Sequence, residues 1–299
     1  MKELATLQVE LFTIILIGAL MKRRGIIGEE GKRSLTDLVI LLVLPCNIIT
    51  SFANSKGDNL KDCLLVFFIS LFIQIFCIIY GKVAYRKEES AKAKNLHYGI
   101  ICSNAGFLGT PIAEGLWGAE GLMLASVYLL PQRVVMWSAG LSIYSGSTDR
   151  KKTIKKVVTH PCVVACMVGI ILMFLPFSLP DLIMNPIQTI GRCNTALSMF
   201  VIGTILADLD LRKLADHLVI RYTMERLIFI PLLVLIGCRL CRVGELNTSL
   251  SVILAAMPAG ASTSMLAVKY DQDPDFATRM VIFSTLCSLP TLCIWTLIL

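Results

Sequence analysis

Long apolar runs separated by short polar stretches recur along the whole chain, near residues 5–21, 35–53, 62–81, 96–116, 119–144, 157–175, 190–207, 218–240, 247–268 and 277–299. Each approaches the ~20 residues that an α-helix needs to cross a hydrocarbon core. The pattern therefore predicts ten transmembrane helices joined by short connections, with no room for a separate soluble domain. A β-barrel would instead alternate polar and apolar positions over segments of about ten residues. Unpaired backbone groups are not tolerated in lipid, so the expected class is an all-α integral membrane protein.

Composition supports this reading. Of 299 residues, 56% are hydrophobic and 16% charged, and the mean hydropathy is +0.74. A soluble or disordered chain is excluded, because a soluble monomer exposing that much apolar surface would aggregate. The net charge of +7 reads as basic loops facing anionic headgroups rather than as a nucleic-acid surface. The eleven cysteines lie almost entirely within apolar runs, as small hydrophobes of a reduced protein do. Cys238 and Cys241 have neither a second such pair nor a nearby His to complete a zinc site, so no metal or other cofactor is expected. The cluster Lys22, Arg23, Arg24 follows the first apolar run instead of preceding it, so that run is expected to stay as a span and not to be cleaved as a signal.

Loop charge sets the expected orientation. The first, third, fifth, seventh and ninth loops carry twenty of the 28 Lys and Arg residues, and Arg133 and Arg226 fall within spans. By the positive-inside rule both termini lie outside the cell membrane and the central stretch Asp149–Lys156 lies in the cytoplasm.

That stretch also divides the chain into two sets of five spans, residues 1–149 and 150–299. Asn104-Ala105-Gly106 in span four corresponds to Pro258-Ala259-Gly260 in span nine, and Ala113 and Ala267 follow at the same distance. Gly18 precedes Pro45 by the same spacing that separates Gly169 from Ala196. Five is odd, so a second copy enters the membrane from the opposite side, which is the inverted-repeat plan of secondary transporters.

The matching segments are poorly suited to continuous helices. Gly106, Gly109 and Pro111 interrupt span four, and Pro258 and Gly260 interrupt span nine. Both are expected to unwind near the bilayer centre, leaving half-helix N-termini and free backbone N–H groups at Ala105, Gly106, Ala259 and Gly260. Such ends attract anions, whereas a plain proline kink would bind nothing.

Arg133, preceded by Gln132, sits about halfway along span five. A cation there is costly unless paired or hydrated, so it is either a counter-charge for an anionic substrate or the partner of a carboxylate such as Glu114. Glu114 and Glu10, in the outer halves of their spans, are candidate proton carriers or hydrated helix ends. Glu225 and Arg226 lie near the cytoplasmic end of span eight, where snorkelling or pairing with Arg221 or Asp208 is expected. No nucleophile elbow, Walker loop or HExxH occurs, so neither an enzyme nor an ATP-driven pump is indicated.

Three motifs carry a resemblance over the whole chain: Leu44-Pro45-Cys46-Asn47, Ser103-Asn104-Ala105-Gly106-Phe107-Leu108-Gly109-Thr110-Pro111-Ile112-Ala113 and Ala256-Met257-Pro258-Ala259-Gly260-Ala261-Ser262. The chain resembles the auxin efflux carrier family, which includes PIN-type auxin carriers and bacterial malonate and malate permeases. Ala196 stands where that family usually has proline. The resemblance implies a fold like that of bile-acid symporters and sodium/proton antiporters, with spans four and nine crossing. It implies a scaffold of spans one, two, six and seven, often dimeric, and a moving transport domain of spans three to five and eight to ten. It places Asn104 and Pro258 at the crossing, with Asn47 facing them. The expected function is alternating-access transport of a small carboxylate such as malate, malonate or an auxin-like acid, with a proton or sodium ion as candidate coupling ion. The alternative is an anion-selective channel or a membrane-embedded sensor on the same fold. The expected substrate-binding set is Asn47, Asn104, Ala105, Gly106, Gln132, Arg133, Pro258, Ala259 and Gly260, and the expected partners are the substrate, the bilayer and a second copy of the chain, with no nucleic acid.

Overall fold

The computed structural model describes residues 2–53, 60–145, 155, 158–174, 179–207 and 216–299. Among these the chain is helical and holds no strand, only an isolated antiparallel bridge between Ser103 and Ala259. Among the described residues five helices are long and apolar enough to cross a membrane: Glu29–Ala53, Leu60–Ala84, Ala105–Tyr144, Asp181–Ala207 and Pro274–Ile298. Pro161–Phe174 is a shorter apolar helix. The chain is thus an all-α protein of integral-membrane type. Of the central basic stretch only Lys155 is described, and Asp208 also lies outside the described residues.

In chain order the helices are α1 (Lys2–Arg23), α2 (Glu29–Ala53), α3 (Leu60–Ala84), α4 (Ser90–Ile101), α5 (Ala105–Tyr144), α6 (Pro161–Phe174), α7 (Asp181–Ala207), α8 (residues 217–240), α9 (Glu245–Ala255), α10 (Ser262–Lys269) and α11 (Pro274–Ile298). The sequence predicts separate spans at 96–116 and 119–144, and the structure separates them at Gly118, whose φ of 61° and ψ of −148° break the helix inside α5. Only glycine adopts that backbone readily. Wider π-turns occur at Val39–Val43, Ala105–Gly109, Met136–Gly140 and Glu225–Phe229. Asp273 caps α11 by accepting from the Phe276 N–H at 3.1 Å, and Pro274 fills the first helical position, where a missing N–H costs nothing.

The described chain folds as two compact units. The first comprises Met1–Leu64, Phe107–Val127 and Val158–Leu209. Here α1 packs along the second half of α7, and the end of α2 packs on α6 and on the first half of α7. Glycines let the backbones meet. A Cβ on Gly18 would lie 2.8 Å from the Phe200 carbonyl oxygen, one on Gly203 would run into the Ile15 carbonyl oxygen, and one on Gly169 would lie 2.7 Å from the Phe52 ring. Lipid is as apolar as a leucine side chain, so helices in a bilayer associate through such close packing.

The second unit comprises Leu65–Gly106, Tyr128–Val157 and Asp210–Leu299. Its core mixes apolar side chains with buried polar ones, among them Asn95, Gln132, Arg133, Thr223, Arg226, Ser284 and Ser288. Asn95 shows how such groups are satisfied. Its Nδ2 donates to the Gln272 and Asp273 carbonyls at 2.7 and 3.2 Å, and its Oδ1 accepts from the Tyr144 hydroxyl at 2.7 Å.

Candidate functional site

The candidate site is built where two helices of the second unit stop and restart. Helix α4 ends at Ile101 because Cys102 turns extended (φ −107°, ψ 94°), and α5 resumes at Ala105. Helix α9 ends at Ala255, and α10 begins at Ser262. The two interrupted stretches pair antiparallel at Ser103 and Ala259. The Asn104 N–H donates to the Pro258 carbonyl at 2.8 Å, and the Gly260 N–H donates to the Cys102 carbonyl at 3.0 Å. A backbone freed from its helical ladder needs new partners at this depth, and each break supplies them to the other. Proline suits position 258 because it brings no N–H to satisfy.

This pairing corrects one expectation. The Ala259 and Gly260 N–H groups are not free for a ligand, since Ala259 donates to Ser284 Oγ at 3.2 Å and Gly260 to Cys102. The physical reason is the antiparallel approach: crossing places the donors of one break against the acceptors of the other, which is cheaper than leaving them for an absent anion.

Side chains complete the crossing. Gln132 donates from Nε2 to the Ser103 carbonyl at 2.8 Å, and its Oε1 accepts from the Ser103 hydroxyl at 3.1 Å. Asn104 is only 7% exposed, and its side chain forms no hydrogen bond among the described residues. Arg133, next to Gln132, is likewise 7% exposed. Its Nη1 is buried without a hydrogen-bond partner, and no ion pair of Arg133 is formed among the described residues. The structure thus brings Asn104, Ala105, Gly106, Gln132, Pro258, Ala259 and Gly260 to one crossing, with Arg133 one residue from a group bonded there.

Asn47 belongs to the first unit, where its Nδ2 donates to Glu114 Oε2 at 2.9 Å. Gly191 leaves room for its backbone, since a Cβ there would lie 2.9 Å from the Asn47 Cα. Glu114 therefore has an amide partner within its own unit.

Arg226 departs most from expectation. It does not snorkel toward the cytoplasm: it is 2% exposed, with Nε donating to the Met257 carbonyl and Nη1 to the Ile100 carbonyl, both at 3.0 Å. It stands in the π-turn Glu225–Phe229 of α8, and such turns often mark functional positions in helices. Tyr222, one turn earlier, donates to the Gly99 carbonyl at 2.9 Å, and Trp295 Nε1 donates to the Leu227 carbonyl at 2.8 Å. The neighbouring Glu225 follows expectation, accepting from Arg221 Nε at 2.9 Å and also from the Tyr85 hydroxyl. The one signal for Arg226 in the sequence is an arginine opening the apolar run that continues to Cys238, without a carboxylate one turn further on. Among the described residues, no group of His, Cys, Asp and Glu is placed to hold a metal ion.

The chain is similar to known transporters over nearly its full length. An uncharacterized transporter of Methanothermobacter thermautotrophicus is 28% identical, with 96% of this chain and 95% of the relative covered. The uncharacterized transporter YfdV of Escherichia coli is 22% identical over 95% of this chain and 94% of its own. A probable auxin efflux carrier component 5c of Oryza sativa is 27% identical over 46% of this chain and 38% of its own. The family model described as membrane transport protein matches residues 4–296, and with that match the chain belongs to this family of membrane transporters, the auxin efflux carrier family.

Proposed function

We propose that this transporter moves a small organic anion bearing a carboxylate, such as malate, malonate or an auxin-like acid, by alternating access. The observation that carries the reading is Arg133, a buried guanidinium with an unpartnered Nη1 next in sequence to Gln132 of the crossing, where the Asn104 side chain forms no hydrogen bond among the described residues. A buried cation without a counter-charge is costly, and a carboxylate that binds there removes the cost. Charge-assisted hydrogen bonds of this kind contribute about 1.5–3 kcal/mol each. A relative named as an auxin efflux carrier component agrees with a carboxylate as the transported group.

The architecture proposed with this function is ten spans in two inverted repeats. Reciprocal contacts in the first unit favour it: Gly18 of the first repeat packs on Phe200 of the second, and Gly169 of the second packs on Phe52 of the first. The antiparallel pairing of Ser103 with Ala259 has the same reciprocity. The proposal extends to a plasma-membrane protein with both termini outside and a dimeric scaffold from spans one, two, six and seven. A proton or sodium gradient is proposed to drive transport.

Proteoliposomes holding the purified protein test this. Labelled malate and malonate are offered under imposed proton and sodium gradients in turn, and counterflow is measured. A carrier shows saturable uptake and counterflow, and Asn104→Asp, which adds a negative charge at the crossing, weakens uptake at least tenfold while the protein remains folded. Steady conduction without saturation or counterflow would assign an anion channel instead.

A further inference from the structure

We propose that Arg226 is a positioning residue that holds the two broken helices in register and reserves the crossing for anions. Three observations meet here. The guanidinium is almost fully buried, its two bonded nitrogens serve two different interruptions, and both acceptors lie at C-terminal half-helix ends: the Ile100 carbonyl in the last turn of α4 and the Met257 carbonyl just past α9. Carbonyls at such ends carry partial negative charge. Left bare at the crossing, two negative ends would oppose an incoming carboxylate. Arg226 neutralises both, so the half-helix N-termini at Ala105 and Ser262 and the charge of Arg133 dominate the field that the substrate meets. The fork geometry matters as much as the charge, because Nε and Nη1 reach two carbonyls at once. A lysine retains the charge on a single point and grips one carbonyl well.

The positional part of this inference stands on hydrogen bonds in the second unit, whereas its consequence for anions rests on the function proposed above. Two measurements on full-length Arg226→Met and Arg226→Lys keep them separable. The first is amide hydrogen exchange of purified protein without added ligand, read on peptides that cover residues 102–106 and 257–262. Loss of register exposes the Asn104 and Gly260 N–H groups, so exchange there rises at least tenfold in Arg226→Met and by less in Arg226→Lys, while α11 and the first unit keep their protection. Unchanged exchange in both peptides overturns the proposal, as does an equal rise in every helix, which would make Arg226 a general stabiliser. Failure of even Arg226→Lys to fold overturns it too.

The second measurement is the thermal shift produced by malonate and by malate. Affinity falls about tenfold in Arg226→Met and is partly rescued in Arg226→Lys. Unchanged affinity in Arg226→Met removes the electrostatic half of the proposal. If the wild-type protein responds to neither acid, the carboxylate reading fails, and the exchange measurement still decides the role of Arg226.

Discussion

In the first unit α1 and α7 approach until Gly18 and Gly203 lie against the backbone of the facing helix, and Gly169 lies against the Phe52 ring. In the second unit two helices are interrupted, and Gln132, Tyr222, Arg226 and Ser284 bond to the carbonyls and N–H groups around the gap. Both units solve the same problem, which is to associate helices where water supplies no hydrophobic drive. Close glycine packing suits a part that keeps its shape, since it has no slack. A hydrogen-bonded break suits a part that receives a ligand, because its bonds place backbone dipoles and a buried cation inside the protein. The contrast can be broken at either end.

The largest effect is expected from Gly203→Val. Its Cβ meets the Ile15 carbonyl oxygen and the Ala19 nitrogen, neither of which can rotate away, so the cost is about 3 kcal/mol of overpacking. Thermal unfolding in detergent, or loss of the monodisperse fraction, reads it. A normally stable Gly203→Val protein would show that the helix contact is loose and the contrast between the units false. Next is Gln132→Leu, which removes both bonds to Ser103 and leaves the Ser103 carbonyl buried. The loss is about 2 kcal/mol, and exchange of amides near residue 103 rises. If only global stability changes, the crossing does not depend on Gln132.

A smaller effect of opposite sign sharpens the comparison. Arg133→Met removes a buried guanidinium nitrogen that has no partner, so the protein gains about 1 kcal/mol of stability while binding its anion at least tenfold more weakly. A variant that loses stability and keeps its affinity would make Arg133 a structural residue. The smallest effect is at Gly237 in α8, where a Cβ meets nothing within 4 Å. Gly237→Ala should stabilise by about 0.5 kcal/mol through the helix backbone alone, and thermal unfolding checks it. A loss there would mean that the face of α8 around Gly237 is packed against something in the working protein.

Much of the site was legible because it is local. Pro258 and Gly260 lie in the gap between α9 and α10 as expected, whereas the gap before α5 falls at Cys102–Asn104 and the chain is helical again from Ala105 through Gly106, Gly109 and Pro111, because a helix tolerates glycine and proline in its first turns. That spans four and nine cross was implied by the resemblance, and the Ser103–Ala259 bridge brings the two stretches together. What failed was the inference that a broken helix leaves free donors, because whether the Ala259 and Gly260 N–H groups are free depends on what faces them. Arg226 was misread for the same reason. Its place near the cytoplasmic end of span eight pointed to snorkelling or pairing there, because a linear reading does not show which carbonyls face it.

The amino-acid sequence by itself determined the solvent, the apolar helices and the break at Pro258 and Gly260, since hydropathy, proline and glycine act on their own few residues through desolvation and backbone sterics, but it did not place the break in span four, which falls ahead of that span's glycines and proline. It also determined that Arg133 is an expensive residue in an apolar run. Only the tertiary structure decided which groups meet the broken backbone: Arg226 reaches a carbonyl 126 residues away at Ile100 and another 31 residues away at Met257. Hydrogen bonds act over about 3 Å, so such partners are settled by which turn of one helix lies beside which turn of another, and that is a property of the packed chain.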